Sequence, residues 1–336
     1  YTRQGKEYLS DFITRIEDVM ASREPRFKAE TDRFWKWYHQ QYFKSWANFA
    51  GNFSQGKRVL RDRESWQTMG VAMVTDENPY INFLSKMAQE LDAFENKPDW
   101  AGVVQELKQA TVSDPTENQP DRKPDGFLSG MKKKGSNLYQ KTLDKTNPEM
   151  ARERRQRLAL VKAWHDYRDS FNALLPSLQS RQEAYQMARG FFPYGNNSTE
   201  SNSPFFITDH QMVVLEQHLE KFGDASVAIA LAEGPLAYLL DYVTSESAEV
   251  LQQKWEAMVL GKIQGVSPTR VPRIIFKKPG GLIWDFLNGP AEPFVGLNQD
   301  GYYAQQALGR RLPFNPRLFT FITKGSEALV EIQPSY

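Results

Sequence analysis

The sequence contains no cysteine. Disulfides, thiolate nucleophiles and cysteine-based zinc sites are excluded together. The lack also suits an oxidising compartment, where a stray thiol is a hazard. Neither charge is in excess: 42 Lys and Arg face 41 Asp and Glu, a net charge of +1. No global field therefore draws the chain to nucleic acid or to an anionic membrane. Long apolar runs of the roughly 18 residues that a spanning helix needs are missing too. The most apolar stretch, 225–243, is broken by Glu233, Gly234, Pro235 and Asp241. With no visible signal peptide, the chain as it stands is expected to be soluble, any membrane anchor lying outside it. It begins at Tyr1 and not at methionine, so we expect a processed piece of something longer.

What is present is apolar bulk. The chain is 40% hydrophobic and 13% aromatic over 336 residues, enough for two or three units with real cores. Its periodicity is helical. Tyr8, Phe12, Ile16 and Val19 recur at steps of three and four. Trp35, Tyr38, Tyr42, Trp46, Phe49 and Phe53 form an aromatic stripe at the same steps, which lines one helical face and reads as core packing. Asn78-Pro79 supplies an N-cap and a first-turn proline, followed by Tyr80, Phe83, Leu84, Met87, Leu91 and Phe94 at the helical period. Asn147-Pro148 opens another helix with Leu158, Val161, Trp164, Phe171 and Leu175, ended or bent by Pro176. A further helix runs to about Ala188. Thr208 and Gln211 read as a capping box ahead of Met212, Leu215, Leu219 and Phe222. Pro235 is expected to open the next helix, with Leu251, Trp255 and Met258 extending it.

Between the helices the composition changes. Residues 113–148 are polar, basic and rich in proline, the mark of a long loop or insertion. "GNNSTESNSP" at 195–204 reads as a loop. After Gly265 proline and glycine are frequent, and the tail "LVEIQPSY" alternates like a strand. The expected organisation is a helical subdomain at 1–112, the insertion at 113–148, a second helical subdomain at 149–265, and a segment at 266–336 with short helices and terminal strand. The fold class is mainly α, a multi-helix region leading into a short β portion.

Motifs that carry chemistry are weak. "GNFSQGKR" at 51–58 nearly matches a phosphate loop, but Arg58 stands where a hydroxyl is needed, and the glycines follow a helix instead of opening one. They more simply end the aromatic helix. His210 and His218 are eight apart, not the four of a helical zinc pair, and His39 and His165 stand alone. No G-x-S-x-G elbow is present. Arg152, Arg154, Arg155 and Arg157 fan around a helix and read as a solvated face; Lys132 to Lys134 form a second basic cluster. No catalytic residue, cofactor or metal is assigned. "FKKPGGLIWDFLNGPAEPF" at 276–294 lacks the dinucleotide pattern. Pro279, Gly280 and Gly281 read as a structural turn that throws 282–287 into a short helix, stopped by Gly289-Pro290. Trp284, Phe286 and Phe294 are expected to pack it back on the helical body. The residues expected in the core are Trp35, Tyr42, Trp46, Phe49, Phe83, Leu84, Trp164, Trp255, Trp284 and Phe286.

Five segments, in order, resemble the extracytoplasmic region of the IcmF/TssM family of type VI secretion systems. "YTRQGKEYLSDF" at Tyr1 is similar to its "YT-x-x-G" entry. "QYFKSWANFAGNF" matches "Y-x-x-x-W-x-x-F" through Tyr42, Trp46 and Phe49. "DENPYINFLSKMAQEL" resembles its "S-P-L-x-x-L-L", with Asn78, Pro79, Tyr80, Phe83 and Leu84 in place. "LAEGPLAYLLDYVTSESAEVLQQKWEAMVLGKI" resembles its proline-started helix and "L-N-x-x-W-x-x-x-V" run, through Leu251, Gln252, Trp255 and Val259. Pro279-Gly280-Gly281 to Phe286 resembles its "P-G-G-l-x-x-x-F" turn. The family's "R-Y-P-F" before that turn is absent from "PTRVPRIIF", and the 113–148 insertion lies outside the pattern.

The resemblance implies a structural role without catalysis: a periplasmic pillar of a protein anchored in the inner membrane. It would assemble with other copies of itself, an inner-membrane TssL-like protein and an outer-membrane TssJ-like lipoprotein. Contact with the lipoprotein would lie mostly in a β-rich portion of which this chain holds the base. No nucleic acid is expected, and membrane only through segments outside this chain. Read from residues alone, two alternatives stand beside it: a periplasmic enzyme acting on the cell wall through paired carboxylates, and a helical module that binds a soluble partner.

Overall fold

The structure, a computed structural model, describes residues 1–19, 25–114, 148–195 and 202–330. Nearly all of the 113–148 insertion, including Lys132 to Lys134, most of the 195–204 loop and the tail beyond Val330 lie outside the described residues.

The chain is mainly α. In order come α1 (Arg3–Val19), α2 (Pro25–Asn52), a 3₁₀ segment (Phe53–Val59), α3 (Arg63–Val74), α4 (Pro79–Leu91), α5 (Asp99–Val112) and α6 (Pro148–Ser170). A second 3₁₀ segment (Phe171–Leu178) precedes α7 (Arg181–Phe191), α8 (Pro204–Leu219) and the long α9 (Ser226–Trp255). A π turn (Glu256–Leu260) follows, then the short α10 (Val271–Phe276) and α11 (Leu282–Leu287). The β portion is two small antiparallel hairpins, β1 (Val295–Asn298) with β2 (Gly301–Ala304) and β3 (Gln306–Ala307) with β4 (Arg310–Arg311), before α12 (Pro316–Val330).

These elements form two compact units that interleave in sequence. The first takes Tyr1–Val59, Asp76–Asp169 and Gln211–Pro235, and the second takes Leu60–Thr75, Ser170–His210 and Leu236–Tyr336. The linear reading expected contiguous subdomains instead.

The first unit is built on rings and small residues. On α2, Tyr38 and Tyr42 are buried, with Leu9, Trp35, Trp46 and Phe94 packed around them. Asn78 caps α4 as its sequence suggests, its side-chain oxygen accepting from the Tyr80 N–H at 2.9 Å. Leu84, Met87 and Leu91 of α4 and Val103, Val104 and Leu107 of α5 are all buried, and the two helices pack on each other. Trp164 and Tyr167 of α6 are buried as the period requires. The second unit centres on Phe191, Phe192, Phe205, Tyr242 and Phe294, all fully enclosed.

Several expectations are corrected. The α1 stripe is on a helix but not in a core: Tyr8 is 68% exposed, Phe12 61% and Val19 82%, and no α1 residue is buried. Periodicity fixes which face a residue occupies, not whether another element covers that face. Phe49 is likewise 57% exposed, with the rings of Phe53 and Phe83 beside it. Trp35, Trp46, Phe83, Trp255 and Trp284 are half-buried, while Tyr42, Leu84, Trp164 and Phe286 are buried.

Helix α8 starts at Pro204, not after Thr208, which lies buried inside it. Ser203 before a first-turn proline is the stronger start, and the Ile207 N–H closes on the Ser203 carbonyl at 3.1 Å. Pro235 does not open a helix but sits inside α9. A proline inside a helix gives up one backbone bond and crowds the preceding turn. There Gly234 leaves space for the Tyr80 ring, and the Tyr167 hydroxyl donates to the Ala232 carbonyl at 2.8 Å. Val330 lies in α12, the rest of the tail expected as a strand lies outside the described residues, and the described β structure is the two hairpins at 295–311. Helix α9 with its extension, Ser226–Ile263, is long and apolar enough to cross a membrane by composition, yet 67% of its most apolar window is buried in the protein.

Candidate functional site

The motifs read as chemically weak fold into ordinary structure. Gly51 lies in the last turn of α2 and Gly56 in the 3₁₀ segment behind it, so no strand precedes them. His39 Nε2 is 2.7 Å from the Asn96 carbonyl and His165 Nε2 is 2.9 Å from that of Ser113. Arg152, Arg154, Arg155 and Arg157 are exposed, and Arg157 grips Glu106 with two nitrogens at 2.8–3.1 Å. Among the described residues, no three of His, Asp and Glu gather as metal ligands.

The expected turn is present and tight. Gly280 takes φ +88°, a left-handed value that favours glycine. Gly281 is extended but crowded: a Cβ there would stand 2.4 Å from the Ile275 carbonyl oxygen and 2.7 Å from that of Lys277. The Gly281 N–H closes on the Lys277 carbonyl at 2.8 Å. Behind the turn, Trp284 Nε1 donates to the Phe276 carbonyl at 3.1 Å, and Lys278 Nζ lies 4.6 Å from the Trp284 ring centre. Trp284 thus clamps α11 to the end of α10.

Two buried carboxylates organise the units. In the first, Glu90 of α4 receives the Arg3 N–H at 2.5 Å, Lys86 Nζ at 2.8 Å and the Tyr42 hydroxyl at 3.2 Å. An acid at the start of α1 also meets the positive end of that helix. Burial alone would raise the Glu90 carboxyl, but Lys86, the Arg3 N–H and Tyr42 together hold it below its ordinary value. Burial, with the Glu90 charge beside it, drives the Tyr42 phenol well up. Lys6 completes the anchor, donating to the Ala93 carbonyl with Nζ 4.4 Å from the Phe94 ring centre. In the second unit, Glu246 of α9 is buried between Arg63 Nε of α3 at 2.7 Å and Arg181 Nε of α7 at 3.4 Å. The bond that Arg63 donates to Glu246 raises its guanidinium, against the pull of burial. Each carboxylate is met by cations and donors, several of them from other helices, so each binds helices together.

The second unit also contains an open cleft of about 400 Å³. Its floor is Leu251, Phe286 and Leu312, all buried; its walls are the half-buried Trp255, Phe314 and Leu318. Trp255 meets Phe286 edge to face, with ring centres 5.2 Å apart. The exposed Gln252, Asn315 and Arg317 form a polar rim. Of these residues, Trp255 and Phe286 were expected only as core. The cleft draws on residues from 248 to 321, a grouping with no local signal in the sequence.

The fold and these sites define a helical protein tied by aromatic packing and buried acid–base anchors. No family model matches this chain, and neither does any curated protein or solved structure.

Proposed function

We propose that this chain is a structural scaffold of a type VI secretion membrane complex, a periplasmic pillar between an inner-membrane anchor and an outer-membrane lipoprotein. The observation that carries the reading is the ordered set of five segments resembling the IcmF/TssM family, from Tyr1 to Phe286. Their positions support it. "YT-x-x-G" supplies the anchored start of α1, Tyr42 and Trp46 pack the first unit, and Pro279-Gly280-Gly281 is a rigid corner. Close-packed helices of this kind carry load because their interiors resist compression. The partners are other copies of the chain, a TssL-like inner-membrane protein and a TssJ-like lipoprotein. The membrane is reached only through segments outside this chain.

The test is co-purification of the full-length protein with a candidate TssJ-like lipoprotein and TssL-like protein from detergent-solubilised envelopes. A stable ternary complex is expected. Recovery of the protein alone, with both candidates expressed and folded, overturns the reading.

A further inference from the structure

The cleft of the second unit has the anatomy of a small-molecule site. Sites of this class are concave, of about 300–1,000 Å³, apolar inside and supplied with few polar groups. Here a floor of Leu251, Phe286 and Leu312 lies beneath the Trp255, Phe314 and Leu318 walls. The lining carries one cation, Arg317, and no carboxylate. Among the described residues Arg317 has no acidic partner. Glu256, at the start of the π turn, accepts from the Gln252 amide at 2.7 Å. The Asn315 side-chain oxygen is also engaged, accepting the Arg317 backbone N–H at 3.0 Å. The rim therefore presents a guanidinium beside an apolar hollow.

A second feature lies at the same place. The α-helical bonding of α9 stops at Trp255, and the next five residues form a π turn, closed by the Gly261 N–H on the Glu256 carbonyl. Such turns concentrate at functional sites, because they re-aim a side chain at the expense of regular bonding. The side chain at this break is the cleft wall Trp255.

We propose that the cleft binds an amphiphilic monocarboxylate, its acyl chain among Trp255, Phe286, Phe314 and Leu318 and its head group on Arg317. Charge decides the head: a guanidinium with no acidic partner among the described residues selects an anion, and its planar fork matches a carboxylate. Size decides against a docked helix. A helix in a groove needs anchors over two turns, about 10 Å, and a stable protein interface buries on the order of 1,000 Å² or more. A hollow of 400 Å³ sits instead near the lower end of the small-molecule range. The proposal does not rest on the scaffold reading.

Equilibrium dialysis of the full chain against radiolabelled laurate, below its micelle concentration, tests it. One saturable site per chain is expected. Arg317→Glu, an exposed change that leaves the floor intact, is expected to weaken binding by about tenfold or more, and Arg317→Lys by less. Dodecanol and dodecyltrimethylammonium are expected to compete poorly. The laurate-induced change in tryptophan emission is expected to vanish in Trp255→Phe. The proposal fails if laurate does not saturate, if Arg317→Glu binds it as well as the parent, or if dodecanol competes equally. It also fails if a synthetic peptide of residues 3–19 of this chain occupies the cleft while laurate does not, because the hollow is then a peptide groove.

Discussion

Gly234 lies directly against the ring of Tyr80: a Cβ on Gly234 would stand 1.9 Å from a ring carbon. Alanine in mid-helix normally gains about 1 kcal/mol over glycine. Here the overlap is with a ring held among buried neighbours, and overpacking of this kind costs about 1–3 kcal/mol. Gly234→Ala is therefore expected to destabilise the chain, and Tyr80→Leu in the same background to restore part of the loss. Urea unfolding of both variants checks this; a stabilised Gly234→Ala would show that the ring yields freely.

The turn at 279–281 gives a paired comparison. Gly280 has the left-handed φ but open space around it, so Gly280→Ala is expected to lose about 1–2 kcal/mol. Gly281 has an ordinary φ but would press a methyl into three backbone atoms within 2.8 Å. Backbone cannot swing aside as a side chain can, so Gly281→Ala is expected to cost more, about 3 kcal/mol. Thermal midpoints in the opposite order would contradict this geometry.

Glu90 sets an acid limit on the first unit. Its carboxyl is lowered in the folded chain, so its stabilising contribution is complete above the ordinary unfolded value near 4.5. That contribution falls as pH drops below this value and is lost once pH passes the lower folded value. Glu90→Gln is expected to remove this part of the acid sensitivity. Asp209 acts in the opposite sense. Burial raises its carboxyl, outweighing the attraction of His210, so its ionisation opposes folding and protonation relieves it. Stability against pH from 3 to 6 for Glu90→Gln and Asp209→Asn separates the two; parallel curves for both variants and the parent would refute the assignment.

Among the tryptophans, burial ranks the losses. Trp164 is 4% exposed, and Trp164→Ala is expected to cost about 3–5 kcal/mol. Trp255 is half-buried beside an open cleft, so Trp255→Ala is expected to lose only about 1–3 kcal/mol. Chemical denaturation of both, with equal losses, would place Trp255 in a closed core after all.

Local chemistry was legible wherever a few neighbouring residues decide the outcome. Asn78-Pro79 starts α4, Pro279-Gly280-Gly281 turns the chain, and the 282–287 helix has the expected length. Where a distant segment decides, the sequence was silent. Glu246 meets Arg63 across 183 residues, and no spacing rule links them. Pro235 reads as a start because proline usually is one; the Tyr80 ring that lies against Gly234 and the Tyr167 hydroxyl that donates to the Ala232 carbonyl come from distant parts of the chain. The exposed Tyr8, Phe12 and Phe49 teach the same point from the other side.

Helix α1 is fastened at its first turn by Glu90 and Lys6 and buries none of its residues. Its amide hydrogens are shielded by the helix's own bonds and little else, so isotope exchange should begin at its far end, near Val19, and travel toward Arg3. The same amides in α5, where Val103, Val104 and Leu107 are sealed, should be among the last to trade hydrogen for deuterium.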